Sequence, residues 1–90
     1  MPEATVTLRN SHGLHARPAK VFARAAAASP GDVAITKDGR TVNAKSVLSV
    51  LTLDCHNGDQ IDIRVTGEGA GETLAELVRL VEAGLGESEE

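Results

Sequence analysis

Val33-Ala34-Ile35-Thr36-Lys37-Asp38-Gly39-Arg40-Thr41-Val42-Asn43 reads as two short strands on either side of Asp38-Gly39. Asp-Gly between such runs is a strong signal for a two-residue hairpin, because both central residues of the favoured turn take positive φ. A hairpin commits the sheet to antiparallel pairing, and the rest of the chain has to be arranged around it. Toward the N-terminus, residues 3–9 alternate, with Ala4, Val6 and Leu8 on one face and Thr5 and Thr7 on the other. Toward the C-terminus, residues 60–66 alternate again, with Ile61, Ile63 and Val65 inward and Asp62 and Arg64 outward. Both patterns predict half-buried strands.

Between and after these strands the period changes. Residues 16–28 are compatible with a helix in which Val21, Phe22 and Ala25 face a core, and Ser29-Pro30-Gly31-Asp32 ends it. Residues 45–53 read as a short helix. Val47, Leu48, Val50 and Leu51 fill too much of it for all four to be buried, so part of the set is expected to stay exposed as an apolar patch. Residues 54–59 form a polar turn, and Gly67 to Gly71 break the chain. A last amphipathic helix is expected over 72–83, carrying Leu74, Leu77, Val78, Val81 and Leu85 at helical spacing. Glu72 near its start suits the dipole, Gly84 or Gly86 can cap its end, and 87–90 make a frayed tail. The order βαββαβα suits an α+β fold, an antiparallel sheet with helices packed on one face. With no repeat, linker or low-complexity segment, residues 1–90 read as a single domain.

Composition narrows the function classes. Phe22 is the one aromatic residue, so the core must be built from Val, Leu, Ile and Ala. No apolar run is long enough to span a bilayer and no cleavable leader is visible, which predicts a cytoplasmic protein that does not act on membranes. The lone Cys55 cannot form an internal disulfide, in keeping with a reducing compartment. The net charge of −4 conceals an asymmetry: residues 1–45 hold seven Lys/Arg against three Asp/Glu (+4), and residues 46–90 hold two against ten (−8). A basic half steers acidic partner surfaces. Nucleic acid is disfavoured as that partner by the acidic total and the near absence of stacking side chains.

The chemistry concentrates in Ser11-His12-Gly13-Leu14-His15-Ala16-Arg17-Pro18-Ala19. Pro18 falls in the first turn of the expected helix, where its missing N–H has no intrahelical partner to lose. His15 therefore falls at or beside the N-cap, where free backbone N–H groups and the positive end of the dipole make an anion site. The amides of Ala16 and Arg17 can hold anionic oxygens, and the Arg17 guanidinium can add a bidentate contact. Gly13 allows a tight turn before the histidine. A single His near a helix start is most often solvated or capping; the set of Gly, His, Arg and Pro at these spacings points instead to a histidine that carries a phosphoryl group. Arg17, Lys20 and Arg24 share a stripe on the helix, read as a docking surface for an acidic partner.

Gly13-Leu14-His15-Ala16-Arg17-Pro18-Ala19 resembles the active-site signature of the HPr family, the histidine-containing phosphocarriers of the phosphoenolpyruvate-dependent sugar phosphotransferase system. Asn43-Ala44-Lys45-Ser46-Val47-Leu48 resembles that family's second signature, around a regulatory serine. The resemblance implies an open-faced β-sandwich of four strands with three helices on one face. It implies that His15 accepts a phosphoryl group on Nδ1 from phosphorylated Enzyme I and donates it to IIA domains of sugar permeases, with Arg17 orienting it. It further implies a carrier rather than an enzyme, with no cofactor. Lys20 and Arg24 of the basic stripe, with Val47, Leu48 and Leu51 of the apolar set, read separately as the surface on which partners dock a monomeric chain. In regulated members a kinase phosphorylates the serine matching Ser46 and a transcriptional regulator is recruited, although Ser46 as a helix N-cap already has a structural reason to be Ser. Lys20 stands where the family generally has a small or hydroxyl residue, and Ser49 where many kinase-regulated members have Gly. His12 can contact His15 or its phosphate, or simply be solvated.

Three other readings compete with this one. His12, His15, Cys55 and His56 are zinc-ligand types, yet Cys55 and His56 are adjacent and no CxxC or HxxxH frame supports them, so no metal site is expected. A purely regulatory relative would lack the active histidine, and His15 is present. A relay serving nitrogen metabolism or a dihydroxyacetone kinase would use the same residues.

Overall fold

The computed structural model describes residues 2–9 and 13–85. The hairpin is where the sequence places it: β2 (Val33–Lys37) and β3 (Arg40–Asn43) pair antiparallel with Lys37 opposite Arg40. Asp38 and Gly39 both take positive φ, 51° and 83°, the turn geometry that matches the twist of the flanking strands. β1 (Glu3–Thr7) and β4 (Gln60–Val65) pair with each other, and β4 also pairs with β2, giving the order β1-β4-β2-β3, antiparallel throughout.

Alternation decides which face is wet. Ile61, Ile63 and Val65 of β4, Val33 and Ile35 of β2 and Val6 of β1 point into the core. The opposite face carries polar cross-strand pairs: Thr5 donates to Asp62, Arg64 Nε donates to Glu3 Oε1 at 3.0 Å, and the Thr36 and Thr41 hydroxyls lie 2.7 Å apart. The apolar face is covered by α1 (Ala16–Ala27), the short α2 (Val47–Leu51) and α3 (Ala70–Glu82). The fold is the α+β, open-faced sandwich that the order of elements predicts.

Three details differ from the sequence reading. In α1 the buried stripe is Ala19, Phe22, Ala23 and Ala26; Ala25 is partly buried against the core, but Val21 faces the basic stripe instead. With Phe22 as the one large side chain on that stripe, the alanines let the helix lie close to the sheet. α3 starts at Ala70, two residues before the expected Glu72, because Ala70 is itself buried and Gly69 takes the cap in a left-handed conformation. β1 stops at Thr7, yet Leu8 keeps pairing: its N–H donates to Asp59 O and its carbonyl accepts from Gly58 N. Leu77, Val81 and Leu85 are buried as expected, while Leu74 and Val78 are partly buried against the core. Gly84 is left-handed just past α3, as a C-terminal cap requires. Gly86 and the tail 87–90 lie outside the described residues. Among those described, no helix is long and apolar enough to cross a membrane.

Candidate functional site

His15 is the N-cap of α1, with extended backbone (φ −121°, ψ 156°). An N-cap side chain usually accepts a bond from the helix's own first-turn amides. The His15 side chain makes no such bond, and no acidic residue stands in the first turn of α1. Neither the His15 side chain nor a first-turn carboxylate therefore caps the start of this helix.

Gly13 fixes the approach. At φ +57° it occupies the region that L side chains avoid, and a Cβ there would lie 2.3 Å from the carbonyl oxygen of Cys55. The loop before α1 thus rests directly on the backbone at Cys55 and His56, an arrangement held by the Leu14 N–H donating to Cys55 O at 3.0 Å. Leu14 is fully buried and anchors the loop to the core.

This seating brings a distant segment to the histidine. Asp54 follows α2 in a left-handed conformation (φ 54°), which Asp tolerates better than most residues. Its Oδ1 lies 3.3 Å from His15 Nε2 and 3.4 Å from His56 Nε2. The two imidazole rings lie 5.0 Å apart, centroid to centroid. Among the described residues His15 Nε2 is closed off from solvent and has no hydrogen-bond partner, although Asp54 Oδ1 lies near it. The His15 side chain as a whole keeps 35% exposure. The segment behind these groups is held in turn: Asp59 Oδ2 accepts from the His56 N–H at 2.8 Å and pairs with Lys37 Nζ at 3.1 Å. Those two contacts hold the Asp59 carboxyl below its ordinary range, the His56 amide foremost, and Asp59 holds the Lys37 ammonium above its own.

Ser46 is the N-cap of α2, and its Oγ accepts from the Ser49 N–H at 3.2 Å. Along α1 and beside the start of α2, Arg17, Lys20, Val21, Arg24 and Val47 line one shallow depression. Leu48 beside it is the exposed member of the apolar set, at 77%. Val50 is buried, and Leu51 is partly buried against the core. The structure thus gathers Arg17, Lys20, Arg24 and Val47 into one surface and gives Leu51 mainly a packing role.

Cys55 is buried in the core, and burial pushes its thiol up to about 11. His12 lies outside the described residues. Sequence reasoning missed Asp54, which it placed in a polar turn. The run Asp54-Cys55-His56 carried the signal, an acid and an imidazole flanking a residue that packs inward.

The family of phosphotransferase-system HPr components, described by their phosphorylation site, matches residues 2–83. The chain belongs to the HPr family. It is 46% identical over 88 residues to the phosphocarrier protein HPr of Streptomyces coelicolor, covering 97% of this chain and 95% of that one. It is 35% identical over 82 residues to the HPr-like protein Crh of Bacillus subtilis, covering 91% and 96%. The crystal structure of HPr-C-His from Thermoanaerobacter tengcongensis superposes with a TM-score of 0.94 at 34% identity, over 99% of this chain and all of that one. The match places the chain among the HPr phosphocarriers of the phosphotransferase system.

Proposed function

We propose that this HPr accepts a phosphoryl group on His15 Nδ1 from phosphorylated Enzyme I and passes it to IIA domains of sugar permeases. The observation that carries the reading is the His15 ring itself: Nε2 is closed off while a third of the side chain stays exposed, which leaves Nδ1 as the nitrogen a partner can reach. A neutral imidazole has one protonated nitrogen and one lone pair. The Asp54 carboxylate beside Nε2 favours the proton there, so the lone pair sits on Nδ1. That lone pair attacks phosphorus as the bond to the donor's nitrogen breaks, and the Nε2 proton stays in place.

The phosphoryl oxygens then meet the start of α1, where the amides of Ala16 and Arg17 and the Arg17 guanidinium stabilise them. Such an exposed helix-end interaction is worth about 0.3–1 kcal/mol. A weak hold suits a group that has to be handed on. Lys20, Arg24, Val47 and Leu48 form the docking surface, with Leu51 supporting it from the side, and the chain works as a cytoplasmic monomer without a cofactor. Ser46 is the regulatory position: a phosphate there adds close to two negative charges next to Val47, on the edge of a basic surface made for acidic partners. A kinase and a transcriptional regulator are the partners that such a modification serves.

Incubation with phosphoenolpyruvate and active Enzyme I, followed by intact mass before and after acid treatment, tests the assignment. Acid-labile phosphate is expected on the wild type and none on His15→Ala. An unphosphorylated wild type refutes the reading. Phosphate that reaches His15 but is not donated to any sugar IIA domain moves the chain to a nitrogen or dihydroxyacetone relay.

A further inference from the structure

The Asp54–His56 segment brings three donor atoms together that the transfer reaction does not need as a set. His15 Nε2, an Asp54 carboxylate oxygen and a His56 ring nitrogen all lie within 4.8 Å of one another. We propose that they form a site for a transition-type divalent cation such as Zn²⁺, and that its occupation switches His15 off as a phosphoryl acceptor.

Geometry and donor chemistry both support the site. Zinc bonds to nitrogen and oxygen run about 2.0–2.2 Å, so two donors on a tetrahedral ion sit roughly 3.3–3.5 Å apart. The observed separations, 3.3 Å from His15 Nε2 to Asp54 Oδ1 and 3.4 Å from His56 Nε2 to the same oxygen, match that edge. The third edge closes by a swing of His56, whose side chain is 60% exposed. Two imidazoles and one carboxylate form the usual three-ligand set that leaves a fourth position to water. His15 Nε2 is also an enclosed polar atom without a hydrogen bond, which such an ion would satisfy. The set differs from the one weighed on the sequence: Cys55 is buried and not among the converging donors, Asp54 takes its place, and His12 lies outside the described residues. The positive end of α1 and Arg17 oppose a cation, which makes binding moderate and reversible.

The switch follows from the imidazole's single proton. A cation on Nε2 takes the lone pair there; the Nε2 proton leaves to water and Nδ1 picks one up, so the ring's net proton count is unchanged. Protonated Nδ1 has no lone pair with which to attack phosphorus. This consequence rests on the carrier reading, whereas binding of the cation does not.

Calorimetric titration of chelator-stripped full-length protein with Zn²⁺ is expected to give one ion per chain, and Mg²⁺ none, since imidazole favours the later transition ions. Imidazole ¹⁵N spectra should show Nε2 of His15 and His56 shifting together. His56→Gln and Asp54→Asn should each weaken binding by about tenfold or more, and Cys55→Ser should not. Absence of zinc uptake, uptake unaffected by His56→Gln, or loss confined to Cys55→Ser overturns the site. Zn²⁺ should slow phosphoryl acceptance by the wild type and not by His56→Gln; equal slowing of both overturns the switch. A wild type that takes no phosphate even without zinc refutes the carrier reading and the switch with it, while the cation site stands or falls on the calorimetry.

Discussion

The helices α1 and α2 start in opposite ways. α2 is completed locally, by the Ser46 hydroxyl accepting from the Ser49 amide three residues on. α1 begins with His15, whose side chain makes no capping bond, and the surroundings of that side chain come from Asp54 and His56 far along the chain. One terminus is closed by its own sequence. The other has no cap from its own N-cap side chain, which lies against residues far along the chain. A helix start that serves transfer must leave its amides free between visits, so its geometry has to be enforced from elsewhere.

The largest expected effect comes from breaking that enforcement. Gly13→Ala places a Cβ at positive φ, costing roughly 1–2 kcal/mol by itself, and drives it into the Cys55 carbonyl, which cannot retreat without moving Asp54 and His56. We expect a loss of about 2 kcal/mol or more in urea unfolding, together with a steep fall in phosphoryl acceptance by the molecules that remain folded. A variant as stable and as active as the wild type would mean that the loop does not depend on this contact.

The same contrast explains what could be read in advance. The hairpin, the β4 alternation and the Ser46 cap are decided by residues within a few positions of one another, and all three were legible. The place of His15 at the start of α1 was legible as well, because Gly13, His15, Arg17 and Pro18 form a local pattern. Asp54 was not, since its role depends on where α2 ends and on how closely Gly13 lets two backbones approach. Val21 was assigned to the wrong side for a related reason. Helical period alone leaves the buried stripe of α1 free to rotate by one position, and the small residues Ala19, Ala23 and Ala26 settle it by packing against the sheet.

A smaller effect should follow at α2. Ser46→Ala removes a local cap and is expected to cost about 1 kcal/mol, with phosphoryl acceptance changed by less than about twofold, because α1 is organised independently. Ser46→Asp keeps a capping oxygen, so its unfolding midpoint should stay close to that of the wild type. It adds negative charge beside the basic depression, so its transfer from Enzyme I should slow. If Ser46→Ala slowed transfer as much as Ser46→Asp, the cap rather than the charge would control docking.

The smallest effect separates the two termini by pH. The Asp59 carboxyl, lowered by the His56 amide and by Lys37, stabilises the fold fully above the ordinary carboxylate value of about 3.9. That contribution fades as pH falls through its lower folded-state value. Lys37, raised by Asp59, contributes below about 10.4 and loses its share only as pH climbs through its higher folded-state value. Asp59 supports the segment that carries His56, and so belongs to the α1 side of the comparison. The urea midpoint of Asp59→Asn should therefore lie below that of the wild type near neutral pH, and the gap should narrow as pH falls below the ordinary carboxylate value of about 3.9 and the wild-type carboxyl protonates. The Ser46 hydroxyl does not titrate in this range, so the gap between wild type and Ser46→Ala should stay constant over the same interval. A gap for Asp59→Asn that persists unchanged in acid would mean that the side chain supports the segment by shape and hydrogen bonding rather than by charge.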